Sequence, residues 1–175
     1  MIERKHIIIG LVLFFLFAGA AASQGLPSGW PPLTKGQRIV ALTLLGEARG
    51  EGAIGMYAVG CVIEKRSANR NLTLAQVCRE GRQFSCWNKG GEKHMDLVGR
   101  ILKADTKEAK YAKTLARAMT AGDLEQSYTS YADHYCTLAT KPSWSYKIIK
   151  EGNKEIKISI KPVKIIGQHK FYKLK

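Results

Sequence analysis

The chain has 175 residues, with 28 Lys and Arg against 14 Asp and Glu, a formal charge of +14. That length favours one domain. Hydrophobic residues at 45% and charged residues at 24% are the balance of an ordinary globular chain, which excludes a wholly disordered protein and a multi-span membrane protein. Four cysteines are too few for a disulfide mini-scaffold and enough for one or two bridges.

The N-terminus sets the expected compartment. Arg4 and Lys5 precede Ile7–Ala22, an uncharged apolar run that ends in Ala20-Ala21-Ala22. A basic head, an apolar core and a small-residue exit describe a secretory signal peptide over 1–22, cleaved near Ala22. The rival is an uncleaved membrane anchor, for which the run is short, since spanning a bilayer takes about 20 residues. The expected location is periplasmic or secreted. Without residues 1–22 the chain keeps 26 basic and 13 acidic residues, a net of +13. Its expected partner is a polyanion or an anionic wall or membrane surface rather than nucleic acid, which export disfavours.

Ser23–Leu33 is rich in Pro, Gly and Ser and reads as a linker, leaving 34–175 as the domain. Thr34 and Gln37 form a capping box for a helix over about 35–48, which the glycines Gly50 and Gly52 end. A second helix is expected over about 53–67, and Thr73 with Gln76 caps a short one to Glu80. Gly81–Lys93 reads as a loop, 94–104 as a helix, and 106–120 as another that ends at Gly122. After residue 140 the runs Tyr146–Ile149, Glu155–Ile160, Val163–Ile166 and Lys170–Tyr172 are β-prone, with turn residues between them. Residues 141–175 hold ten lysines and two glutamates, so much of the excess charge lies there. These lysines either protect strand edges or meet an anionic polymer. The expected class is α+β, mostly α, with a small C-terminal β region. No cofactor, no metal and a monomeric state are expected.

Glu47 is the leading chemical candidate. The negative pole of the helix dipole and the apolar run before it disfavour its charged form, which suits a general acid for glycoside cleavage. A surface Glu paired with Arg49 or a lysine is the plain alternative. Glu51 and Asp133 are candidates for a second carboxylate, and neither spacing is diagnostic. Cys86 with His134 or His169 suggests a cysteine nucleophile and its base, as in wall amidases and endopeptidases, against a disulfide that export favours. His134, Cys136 and His169 match no zinc spacing. Trp87, Tyr131, Tyr135, Trp144, Phe171 and Tyr172, with Gln83, Ser85 and His134, are residues that can line a glycan groove, although core packing is the commoner fate of any one aromatic. For the cysteines the expected bridge is Cys78–Cys86, with Cys61–Cys136 a second guess.

Four blocks in order, GEARGEG (46–52), YAVGCVIEKR (57–66), RQFSCW (82–87) and ADHYC (132–136) with KPSW (141–144), followed by IGQHKFY (166–172), resemble the SleB/CwlJ-type cell-wall hydrolases. The blocks span nearly all of the chain after the leader. Lys147–Val163 is longer and more basic than the corresponding segment of that family. The resemblance implies a lysozyme-like, mostly helical fold that acts on the glycan strands of peptidoglycan. It implies Glu47 as the catalytic acid, and Gln83, Phe84, Ser85, His134 and Tyr135 in the cleft. It further implies lytic transglycosylation, in which one Glu serves as acid and then base and leaves a 1,6-anhydro-muramic end. A hydrolytic muramidase, a Cys86-dependent amidase or endopeptidase, and a cationic wall-binding module without catalysis stand as alternatives.

Overall fold

A computed structural model describes residues 30–174 apart from 89, 123 and 153. The expected signal peptide and most of the expected linker lie outside the described residues. By its internal contacts the chain divides into Met1–Pro32 and Leu33–Lys175, and the second unit carries all the regular structure among the described residues.

Among the described residues five α-helices come first: α1 (Lys35–Ala48), α2 (Gly52–Arg70), α3 (Leu74–Arg79), α4 (Glu92–Lys103) and α5 (Lys107–Ala121). Five short strands follow: β1 (His134–Thr137), β2 (Tyr146–Glu151), β3 (Lys154–Ser159), β4 (Lys164–Ile166) and β5 (His169–Tyr172). The α+β class with helix dominant is therefore as expected. Among the described residues no helix is long and apolar enough to cross a membrane.

The helix boundaries follow from local chemistry. Thr34 Oγ1 accepts the Gln37 N–H at 3.2 Å while Gln37 Oε1 accepts the Thr34 N–H at 3.0 Å, so the capping box closes reciprocally. Thr73 and Gln76 repeat it for α3. Thr106 caps α5 through the Ala109 N–H, and Gly122 ends that helix at φ +75°.

Helix α1 is the centre of the unit and packs against each of the other four helices. Val40, Ala41, Thr43, Leu44, Leu45 and Ala48 are buried, so its apolar stripe is wide rather than one-sided. Each fully buried Val or Leu contributes about 1.5–3 kcal/mol. A second cluster (Ala58, Val62, Ala132, Ile166 and Phe171) fastens α2 to the sheet β1-β5-β4, all of whose pairs are antiparallel. Strand β1 lies upstream of the stretch expected to hold the strands. Its register with β5 sets Tyr135 opposite Phe171 and His134 opposite Tyr172. Strands β2 and β3 form a separate two-stranded ribbon.

All four cysteines are free and buried. Neither the expected Cys78–Cys86 bridge nor Cys61–Cys136 is formed. The physical reason is that these thiols serve as small apolar groups in the core. Cys78 and Cys86 both belong to the main hydrophobic cluster, and Cys86 fills the space above Gly46.

Candidate active site

Glu47 occupies the last turn of α1, where the buried helix reaches the surface, and is half-buried. Arg49, one of the ion partners that the plain alternative offered for Glu47, donates to the Leu45 carbonyl oxygen. Three donors converge on the Glu47 carboxylate. The Ser85 hydroxyl donates to Oε1 at 3.1 Å and the Cys86 backbone N–H donates to the same oxygen at 2.9 Å. The Tyr135 hydroxyl donates to Oε2 at 2.9 Å.

Two structures hold these donors in place. The first is the short helical turn Ser85–Trp87, which docks on α1 because residue 46 has no side chain. A Cβ on Gly46 would lie 2.8 Å from Cys86 Cβ and 3.1 Å from its Sγ. Trp87 pins the same turn from the other end: its indole N–H donates to Thr43 Oγ1 at 2.9 Å, and Arg79 lies over its ring at 4.4 Å. The second structure is the β1-β5 pair. Tyr135 stacks on Phe171 at 5.8 Å between ring centroids and meets His169 edge-on at 5.3 Å. Burial first, and then the neighbouring Glu47 charge, push the Tyr135 phenol well above its ordinary range, so it remains a protonated donor.

The other carboxylates are engaged elsewhere. Glu51 lies one short turn beyond Glu47, and its Oε2 accepts the Gln168 N–H at 2.9 Å. Gly167, at φ +54°, admits that contact, because a Cβ there would lie 1.8 Å from Glu51 Oε2. Glu51 thus ties the end of α1 to the β4–β5 turn. Asp133 is buried, and its Oδ1 accepts from the Leu174 N–H at 2.9 Å and contacts His134 Nδ1 at 3.0 Å. Burial opposes its charge, but those hydrogen bonds prevail and hold its carboxyl below the usual range.

The remaining candidate residues are dispersed. Ser85 and Tyr135 are brought to Glu47. Phe84 is core, with 1% exposure, between Tyr135 and the buried Arg66, whose guanidinium sits 5.4 Å from its ring. Gln83 is half-buried in the turn before Phe84, its N–H donating to the Glu80 carbonyl. His134 and Trp144 form a different aromatic group. Strand alternation places His134 on the opposite face of β1 from Tyr135, where its ring lies 5.0 Å from Trp144, and Trp144 in turn meets Tyr172 at 5.3 Å. Tyr131 is exposed at φ +60°, with Lys65 and Lys173 over its ring.

A Cys86 nucleophile is opposed by its surroundings. The thiol is buried, and burial together with the Glu47 charge pushes it far above its ordinary value, the reverse of what a reactive cysteine needs. Among the described residues no three His, Cys, Asp or Glu side chains are grouped to hold a metal ion. What the sequence reading missed is the Cys86 backbone N–H as a donor to Glu47, and Gly46 as the contact that permits it. The signal for the second was a glycine inside a helix, where it costs about 0.5–1 kcal/mol relative to Ala and so asks for a packing reason.

The comparison with curated proteins and the comparison with solved structures each gave no match. The family model described as Cell Wall Hydrolase matches residues 50–172. That stretch begins three residues after Glu47 and contains both structures that close on it, the Ser85–Trp87 turn and strand β1. A match over this much of the chain decides the question that the ordered motifs raised, and the chain belongs to the cell wall hydrolases of the SleB/CwlJ type.

Proposed function

We propose that this cell wall hydrolase is an exported enzyme that cleaves peptidoglycan glycan strands with Glu47 as its single acid and base, and that it acts as a lytic transglycosylase. The observation that carries the reading is the Glu47 carboxylate, held by three donors at the end of a buried helix, while Glu51 and Asp133 are committed to backbone N–H groups of other segments. The reading takes the helical unit as lysozyme-like, with the acid on its central helix and the small sheet facing it.

The donors also divide the labour of the two oxygens. A backbone N–H can only donate, so Oε1, which faces Cys86, remains an acceptor in both protonation states. The acid proton therefore belongs on Oε2. The Tyr135 hydroxyl donates to that oxygen when it is charged and has a lone pair to accept from it when it is protonated. In the first step the Glu47 carboxylic acid gives its proton to the glycosidic oxygen as the C1–O bond breaks. The carboxylate left behind takes the proton of the muramic C6 hydroxyl, whose oxygen bonds to C1 and closes the anhydro ring. Water in place of that hydroxyl would make the same site a hydrolase.

Glu47→Gln keeps the size and hydrogen-bonding shape of the side chain and removes the transferable proton. Glycan cleavage should fall by about 100-fold or more. Mass spectrometry of digested sacculi should give anhydro-muropeptides. Reducing ends instead would make the enzyme a hydrolase. Full activity in the variant would remove Glu47 from the chemistry.

A further inference from the structure

The ribbon β2–β3 lies outside everything the Glu47 site uses. Eleven of its twelve strand residues are exposed, and the twelfth, Tyr146, is half-buried. An isolated two-stranded ribbon is marginal in water, so a ribbon with neither face covered asks for something outside the unit to lie against it.

The register fixes what each face presents. Residues directly opposite one another share a face. One face carries Lys147 opposite Ile158, Ile149 opposite Ile156, and Glu151 opposite Lys154. Ile149, Ile156 and Ile158 therefore form one apolar patch, exposed by 37%, 36% and 46%, with a lysine at either end of it. The opposite face is more polar: Ile148 stands opposite Lys157 and Lys150 opposite Glu155, and Lys157 lies over the Tyr146 ring. Residues 146–161 together hold five lysines and two glutamates, a net of +3.

We propose that this ribbon docks the enzyme on an anionic phospholipid surface, with the Ile149–Ile156–Ile158 face entering the headgroup region and the lysines meeting lipid phosphates. Two observations select this occupant. A dissolved polyanion would satisfy the lysines and leave three isoleucines in water, whereas a bilayer interface takes both. A second copy of the chain would bring a like-charged segment, residues 141–175 at +8, against its own image.

The test is amide hydrogen exchange of the full chain, read on peptides covering 146–159, with phosphatidylglycerol vesicles, with phosphatidylcholine vesicles, and with no vesicles. Exchange in the ribbon should slow with the anionic vesicles only, and the slowing should fade as salt is raised. The triple variant Ile149→Ser, Ile156→Ser, Ile158→Ser should weaken binding to the anionic vesicles by about tenfold or more. Unchanged ribbon exchange on vesicle addition overturns the proposal and needs no variant. Protection by soluble teichoic acid that survives the isoleucine substitutions overturns it in favour of a wall polymer. Protection that grows with protein concentration in the absence of vesicles overturns it in favour of self-association. None of these readings depends on Glu47, so failure here leaves the glycan-cleaving function untouched.

Discussion

Replacing Gly46 with Ala sets two effects of opposite sign against each other. In a helix, Ala is favoured over Gly by about 0.5–1 kcal/mol, so helix propensity alone predicts a stabler protein. Packing predicts the reverse. The new Cβ would lie 2.8 Å from Cys86 Cβ, and Cys86 Cβ is fixed to its backbone and cannot swing aside as the end of a long side chain can. Carbon atoms rest about 3.5 Å apart or more, so the Ser85–Trp87 turn has to retreat by roughly 0.7 Å. Overpacking of this kind costs about 1–3 kcal/mol. The balance is a loss of about 0–2.5 kcal/mol, read by thermal or urea unfolding. Activity should fall further than stability, because the same retreat moves two of the three donors on Glu47, and displacements approaching 1 Å at a reacting group cost up to about 100-fold. Gly50→Ala, with nothing within 4 Å of its Cβ, is the control and should leave both unchanged. A Gly46→Ala enzyme that is stabler than the parent and equally active would refute the claim that this glycine exists to seat the turn.

Tyr135→Phe keeps the ring against Phe171 and His169 and deletes the donor to Glu47 Oε2. Hydrogen bonds to charged groups are worth about 1.5–3 kcal/mol of stability, so the melting temperature should fall by several degrees. With the acid no longer held in place, kcat should also drop by roughly 10- to 100-fold, and a lowered melting temperature with unchanged kcat would make Tyr135 structural. Asp133→Asn should destabilise by about 1–3 kcal/mol near neutral pH, since Leu174 N–H and His134 hold the ionised form. Because the folded carboxyl is held below its ordinary 3.8, that stabilisation is complete above this value and is lost as the pH falls through the lower folded one. Unfolding curves of the pair should therefore converge in strong acid, and a constant gap down to about pH 2 would contradict the assignment. Burial pushes the Cys61 and Cys78 thiols up to about 12, so a thiol reagent should find the native cysteines slow and the denatured chain should yield all four. Intact mass showing a disulfide would restore the bridge that the structure lacks.

The helical part of this fold was legible in the sequence because its determinants are local. Thr34 with Gln37 and Thr73 with Gln76 each mark a helix start, and Gly122 marks a helix end, within a few residues. Glu47 could be singled out for the same reason, as a carboxyl at the end of an apolar helix. Strand β1 was missed because His134–Thr137 carries only four residues and owes its state to β5, more than thirty residues downstream. The cysteine pairing failed in the same way. Closeness in sequence between Cys78 and Cys86 suggested a bridge, whereas what decides their state is packing against α1.

The site itself shows why a motif locates a carboxylate more readily than it explains one. Glu47 and Glu51 stand four residues apart in the same GEARGEG block, and composition alone makes them a pair. The two carboxylates diverge because Gly167 lets the β4–β5 turn approach Glu51 while Gly46 lets the Ser85–Trp87 turn approach Glu47. Two glycines, neither of them chemical, thus assign the two acids different partners. One carboxylate becomes a clasp between the end of α1 and the sheet, and the other is left at the surface with hydroxyl groups that can both give and take a hydrogen bond. This division is what the proposal of one-carboxylate chemistry rests on, at a site whose sequence offers two.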